Sequence, residues 1–258
     1  MKKRGQITIF IVLGILLLLS TLLILYMNKS TIEKTEIEEK NIIEISAVKM
    51  FIQSCLFNTA VDGIRYNGFQ GGLYQVSGNL KDYGFFKTPY YFYLGNSTLP
   101  TKEVFEEELS KYIKQNFLKC TDDLNVFKEM YGVIIGDLNV SVKLTNKALI
   151  DLEWPIKILK GDEERSLDSF SQKINFDFDN IYDFLEDFEE EQLKSPNSVP
   201  LGYLSDVAHE KDFIFEIENL NNDTVKFSML YDNYLNNEDY LYVFIAKYSW
   251  SNLNMGEN

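Results

Sequence analysis

Between Gly5 and Asn28 the chain carries no charged residue, and Lys2, Lys3 and Arg4 stand directly before that stretch. No other feature restricts so strongly what the chain can become. At a rise of about 1.5 Å per residue, some 20 apolar residues in a helix cross a hydrocarbon core about 30 Å thick. Ile7 to Met27 is long enough to do so. A helix buried in a soluble core runs shorter and keeps a polar edge. A cleaved secretory signal has an apolar region of about 7–15 residues and then a small-residue site, whereas this stretch is longer and ends in "LYMNKS". The expectation is an uncleaved transmembrane anchor over residues 5–28, with residues 1–4 as a basic tail.

Orientation follows from charge. Lys2 to Arg4 form a dense cluster, while Lys29, Lys34 and Lys40 beyond the span are dispersed among Glu33, Glu36, Glu38 and Glu39. The dense cluster stays in the cytoplasm, which puts everything after the anchor on the outer side of a single-pass membrane protein. That outer part holds 22 cations and all 39 acids, a net charge of −17. Such a surface lacks the basic footprint that nucleic acid requires and is repelled by anionic lipid headgroups.

Past the anchor, "TIEKTEIEEKNIIEIS" reads as a charged, helix-favouring stalk. Ile45, Val48, Ile52, Cys55 and Thr59 continue it with 3-4-3-4 spacing, one apolar stripe. Residues 29–67 are therefore expected to form a stalk and amphipathic helix, stopped by Gly68 and Gly71-Gly72. Residues 68–258 are expected to form an extracytoplasmic α+β domain. A second helix starts with Thr101 as N-cap and Glu103 in the first turn, and Leu109, Ile113, Phe117 and Cys120 form its stripe. From Leu138 the period becomes two. Leu138 to Leu144, then Ile150, Leu152, Trp154, Ile156 and Ile158, alternate as half-buried strands joined through the turn "KGDEE" to a strand carrying Phe170, Ile174, Phe176 and Phe178. Asp179 to Lys194 is an acidic amphipathic helix with Ile181, Phe184, Leu185 and Phe188 inward. Phe213, Phe215 and Ile217 pair with Val225, Phe227 and Met229 in a hairpin, and "YLYVFIAKY" is apolar on both faces, as a central strand is. The fold class is α+β: a long N-terminal transmembrane and stalk helix, then a mostly antiparallel sheet packed against helices.

The chemistry legible here is sparse. Cys55 and Cys120 are the only cysteines, each on an apolar stripe. Outside the cytoplasm oxidation is permitted, and one disulfide is expected; the alternative is two buried thiols that never meet. His209 is the only histidine, and neither cysteine has a polar neighbourhood, so Ser-His-Asp or Cys-His chemistry has little to work with. The acidic run from Asp177 to Glu191 lacks the glycine of a calcium loop and has a helical period. We therefore expect no metal, no cofactor and no enzymatic activity, with a carboxylate-based hydrolase as the remotest alternative. Tyr90, Tyr91 and Tyr93 in "TPYYFYLGNSTLP" form either a carbohydrate-stacking platform or, more ordinarily, a packed strand. Asn28, Asn96, Asn139 and Asn222 begin N-x-[ST] sequons, of which Asn96 and Asn222, in turns, are the better glycosylation candidates.

"KRGQITIF", running straight into the span, resembles the archaeal class III, prepilin-type signal. That resemblance implies processing between Gly5 and Gln6, with Gln6 as the new N-terminus. The family usually places a glutamate at the fifth mature residue, where this chain has Phe10. "FIQSCLFNTAVDGIRYNGFQGG", "LPTKEVFEEELSKYIKQNFLKC", "LEWPIKILKGDEERSLDSFS" and "YLYVFIAK" together resemble a group of uncharacterised single-span proteins of small-genome archaea. The group implies the same architecture and the pairing of the two cysteines; it carries no established activity and so implies nothing about function. The expected role is structural, adhesive or cell-envelope interaction, with a pilin-like subunit as its sharpest form. A ligand-binding or sensor-like ectodomain is the alternative. The expected partners are the lipid bilayer and other envelope proteins, with no nucleic acid.

Overall fold

A computed structural model of the chain describes residues 17–23, 45–75, 80–83, 86–211 and 213–250. Residues 17–23 are helical and exposed. The rest of the anchor expected over residues 5–28, and residues 29–44 of the stalk, lie outside the described residues. Among the described residues no helix is long and apolar enough to cross a membrane.

The first long helix, α1 (Ile45–Phe69), buries Val48, Ile52, Cys55, Leu56, Thr59 and Ala60 along the stripe read from the sequence. It ends two residues beyond the expected Asn67. The Asn67 carbonyl accepts hydrogen bonds from Gln70 N at 2.9 Å and Gly72 N at 2.6 Å, which closes the last turn. Gly71 and Gly72 take positive φ angles of 60° and 75°, a conformation that glycine adopts without steric cost. A Cβ on Gly72 would lie 2.4 Å from Phe105 Cδ1, so no side chain fits there.

Strands β1 (Leu80–Tyr83), β2 (Phe86–Tyr93) and β3 (Asn96–Ser97) precede α2 (Lys102–Thr121), a short 3-10 turn (Asp122–Leu124) and α3 (Asn125–Lys128). Thr101 occupies the N-cap of α2 in extended conformation, with Glu103 in the first turn. The two long helices run antiparallel, since Cys55 meets Cys120 and Gly63 faces Tyr112 and Leu109. Gly63 allows the close approach: a Cβ there would lie 2.6 Å from Tyr112 Cδ1 and 2.9 Å from Leu109 Cδ1.

Four strands follow: β4 (Gly132–Ile135), β5 (Asn139–Leu144), β6 (Ala148–Lys160) and β7 (Glu163–Ile174). They make an antiparallel sheet centred on β6. β7 pairs with β6 along its whole length; β5 pairs with its first half and β4 with its second. β4 and β5 therefore share one edge of β6. The break between them falls at Pro155, which has no N–H to donate. A register shift in the β6–β7 ladder sits there too, and Gly136 N donates to the Pro155 carbonyl at 2.8 Å. From Ala148 to Ile158 β6 alternates strictly between buried and exposed residues. Its inner face meets the helix pair, with Trp154 edge-on to Phe117 at 5.2 Å.

The remaining elements are α4 (Phe178–Lys194), α5 (Leu201–Glu210), β8 (Ile214–Asn221), β9 (Thr224–Leu235) and β10 (Glu238–Lys247). α5 is absent from the sequence reading. The second sheet runs β1-β2-β10-β9-β8, with β3 also on β2. β8 and β9 form the expected hairpin, with Phe215 opposite Met229 and Ile217 opposite Phe227. β10 is central, antiparallel to β9 and parallel to β2. The α+β class and mostly antiparallel pairing hold. The strands divide into two sheets rather than one, because alternation reports which face is buried and not which strand is the neighbour. An aromatic column joins α4 to the second sheet: Phe188, Phe227, Phe244 and Tyr91 follow one another at centroid distances of 5.3, 4.9 and 5.2 Å.

Candidate functional site

An open groove lies between α2 and the edge of β5, with a volume of 480 Å³. β5 pairs with β6 on one side only, so its backbone groups on the other side need partners. α2 supplies them. Glu106 Oε1 accepts from Leu144 N at 3.0 Å, and Ser110 Oγ donates to the Val140 carbonyl at 2.8 Å. In an antiparallel ladder alternate residues point their polar groups the same way, so the Val142 peptide faces the groove between these two contacts. Glu103, Glu107 and Lys111 form the helical rim and Lys143 the strand rim.

Both lysines of the groove are paired. Lys143 Nζ lies 2.8 Å from Glu106 Oε2, and Lys111 Nζ lies 2.6 Å from Glu108 Oε1. Each hydrogen bond to a carboxylate raises the pKa of its lysine. Both ammonium groups are thereby held protonated, without a lone pair for nucleophilic work. On Glu103, its own backbone N–H and the Thr101 hydroxyl hold the carboxyl below its usual range. Glu108 is 6% exposed and also accepts from Tyr74 N at 3.1 Å and Gln75 N at 2.6 Å, pinning the loop after α1 onto α2. The arrangement recognises charge and hydrogen-bonding groups; the shifts at Lys143, Lys111 and Glu103 all favour the charged form.

The residues singled out in the sequence are scattered. Gly5, Gln6 and Asn28 lie outside the described residues. Cys55 and Cys120 are joined, with sulfurs 2.08 Å apart and Cα atoms 5.7 Å apart. Cys55 is 4% exposed, but Cys120 is exposed. The expected buried stripe of α2 thus ends at Phe117 and Thr121, because the last turn of the helix rotates Cys120 outward. Tyr90 and Tyr91 sit in β2 at 8% and 3% exposure. Tyr91 donates to the Gly71 carbonyl at 2.5 Å and accepts from Tyr242 at 2.5 Å. Tyr93 is half-buried, edge-on to Tyr90, with Lys247 Nζ 5.7 Å from its ring centre. These rings are core and strand residues whose faces are already covered, not the open platform that sugar stacking needs.

Asn96, Asn139 and Asn222 are exposed. Asn96 lies in β3 and Asn139 starts β5, whereas Asn222 occupies the β8–β9 turn. His209 is exposed in the last turn of α5. Asp177 caps α4, its carboxylate accepting from Asn180 N at 3.2 Å, and the acids after it line a helix whose inward face is apolar. Among the described residues no group of three or more His, Cys, Asp or Glu is disposed to hold a metal ion.

Glu106, Ser110 and Glu108 escaped sequence reading, since each is one more polar residue on an exposed-looking helix face. The one available signal is that Glu106 leads Leu109, Ile113 and Phe117 at 3-4-4 spacing, on the buried side of α2. No protein-family model matches this chain, and no curated protein and no solved structure matches it.

Proposed function

We propose that the protein is a single-pass membrane protein with its N-terminus in the cytoplasm, whose outer domain plays a structural, adhesive or cell-envelope role, in its sharpest form as a pilin-like subunit. One observation carries the reading: 24 consecutive residues without charge, directly preceded by Lys2, Lys3 and Arg4. The joined Cys55 and Cys120 support it, because disulfides persist in oxidising compartments. So does the net charge of −17 beyond the span, which suits a solvated outer surface.

N-terminal sequencing of the protein purified from native membrane tests processing. Gln6 at the start agrees with prepilin-type cleavage, and Met1 with a plain anchor. Protease added to intact cells should remove the acidic domain, and full protection there overturns the orientation. The second reading, a ligand-binding ectodomain, is favoured by the α2–β5 groove rather than by Tyr90 to Tyr93. Its ligand would be a small polar molecule able to meet the Val142 peptide and the Glu103 and Glu107 carboxylates.

A further inference from the structure

At the meeting point of the helix pair and both sheets lies a small, partly open cavity of 20 Å³. Ile64, Phe105, Leu109 and Leu144 give it apolar walls, and Asn67 and Tyr240 bring polar groups to it. All six are buried, Asn67 at 4% exposure and Tyr240 at 2%.

The Asn67 carboxamide is the anomaly. Its backbone carbonyl is committed to closing α1, but neither Nδ2 nor Oδ1 hydrogen-bonds to another protein group among the described residues. A carboxamide taken out of water with both ends unpaired forfeits the hydration of a donor and an acceptor and receives nothing in return. Leucine, of nearly the same shape, would fill the position without that loss. Tyr240 reaches the same place: its hydroxyl lies 2.7 Å from where a Cβ on Gly68, the residue after Asn67, would stand.

We infer that this cavity is a binding site for a single ordered water molecule, held by the Asn67 carboxamide and the Tyr240 hydroxyl. The size selects the ligand. One water needs about 10–15 Å³ on this measure and two to four polar partners. The cavity meets the first requirement for one molecule and is too small for a cofactor or metabolite. Nδ2 can donate to the water oxygen, Oδ1 can accept from it, and the tyrosine hydroxyl can do either. The water then links the last turn of α1 to β10, and so the helix pair to the second sheet. Phe176 and Phe178 shield it on the side of α4.

The test uses the full chain in detergent, with NMR magnetisation transfer from a slowly exchanging water to the Asn67 side-chain amide protons. A cross-peak from such a water to Asn67 is the expected result, and its absence overturns the inference. Equilibrium unfolding gives an independent readout. If water satisfies the amide, Asn67→Leu leaves the unfolding constant unchanged or raises it, and Tyr240→Phe raises it. If the amide is dry, Asn67→Leu relieves the loss and lowers the constant about tenfold or more, which also overturns the inference. Should a variant fail to fold, the cross-peak in the unaltered protein decides.

Discussion

Breaking the Cys55–Cys120 bond should cost more stability than any single contact in the domain. The bond closes a loop of sequence separation 65. In the chain-entropy model a cross-link of that span withholds about 14 cal/mol/K from the unfolded chain, or about 4 kcal/mol at 25 °C. That corresponds to an unfolding constant raised about a thousandfold. The two ends differ in their surroundings. Cys55 is 4% exposed, so Cys55→Ala also loses packing around the sulfur, by about 1 kcal/mol. Cys120 is exposed, so Cys120→Ala adds little beyond the lost cross-link. Cys55→Ala should therefore be slightly worse than Cys120→Ala, and the double variant should cost about the same as Cys55→Ala alone. Urea unfolding of the full chain in mild detergent, followed through the fully buried Trp154, measures all three. The dependence on urea should also steepen, because the uncrosslinked chain unfolds to a more expanded state. Single-variant losses that add in the double variant, or a double-variant loss below about 1 kcal/mol, would refute the reasoning.

Gly72→Ala meets both a positive φ and a Cβ position 2.4 Å from Phe105, whereas Gly161→Ala meets a positive φ with nothing within 4 Å. Gly161→Ala should cost about 1 kcal/mol and Gly72→Ala clearly more, a further lowering of the melting temperature by about 3 °C or more in a thermal scan. Glu106→Ala orphans the Leu144 N–H and should cost about 1–3 kcal/mol. Removing its partner, Lys143→Ala, should cost clearly less, because that side chain is 67% exposed; denaturant titration orders the two. Burial raises the pKa of Tyr91, Tyr231, Tyr234, Tyr240, Tyr242 and Tyr248, and burial with Asp187 nearby pushes Tyr203 up to about 12. A folded pKa above the unfolded value of about 10 leaves stability intact below pH 10 and removes it as the pH rises further. Ultraviolet absorbance should show these tyrosinates appearing together with unfolding; smooth titration in the folded state would refute their burial.

Much of the domain was legible because its elements have one buried side. The alternation through Ile150, Leu152, Trp154, Ile156 and Ile158 marks β6, and Ile181, Phe184, Leu185 and Phe188 mark the inner face of α4. Gly71 and Gly72 announce the end of α1. Pairing between strands distant in sequence was not legible, although the β8–β9 hairpin was. Nothing in "TPYYFYLG" says that β2 lies parallel to a strand some 150 residues later, since parallel and antiparallel neighbours bury the same side chains. The tyrosines of β2 mislead for the same reason: ring and hydroxyl suit a core as well as a binding surface, and only the Gly71 carbonyl and Tyr242 decide between them. α5 was invisible because it buries one residue fully, Leu204, and has no long stripe. The groove is a product of tertiary placement alone, since Ser110 and Glu106 acquire meaning only beside an unpaired strand edge.

The central position of β10 sets an order of events. A chain leaves the ribosome from its N-terminus, so α1, β2, α2 and both cysteines emerge while Glu238 to Lys247 are still unmade. Until that last strand arrives, β2 and β9 have no common neighbour, and Tyr91, Phe227 and Phe244 cannot stack. The helix pair with its β4–β7 sheet can form beforehand and wait, whereas the other sheet closes only at the end, from its middle outward. A chain cut at Asn237 should thus retain one half of the domain and forfeit the other, and limited proteolysis of such a truncation should leave α1 and the stretch from α2 to β7, held together by Cys55–Cys120, as the protected part.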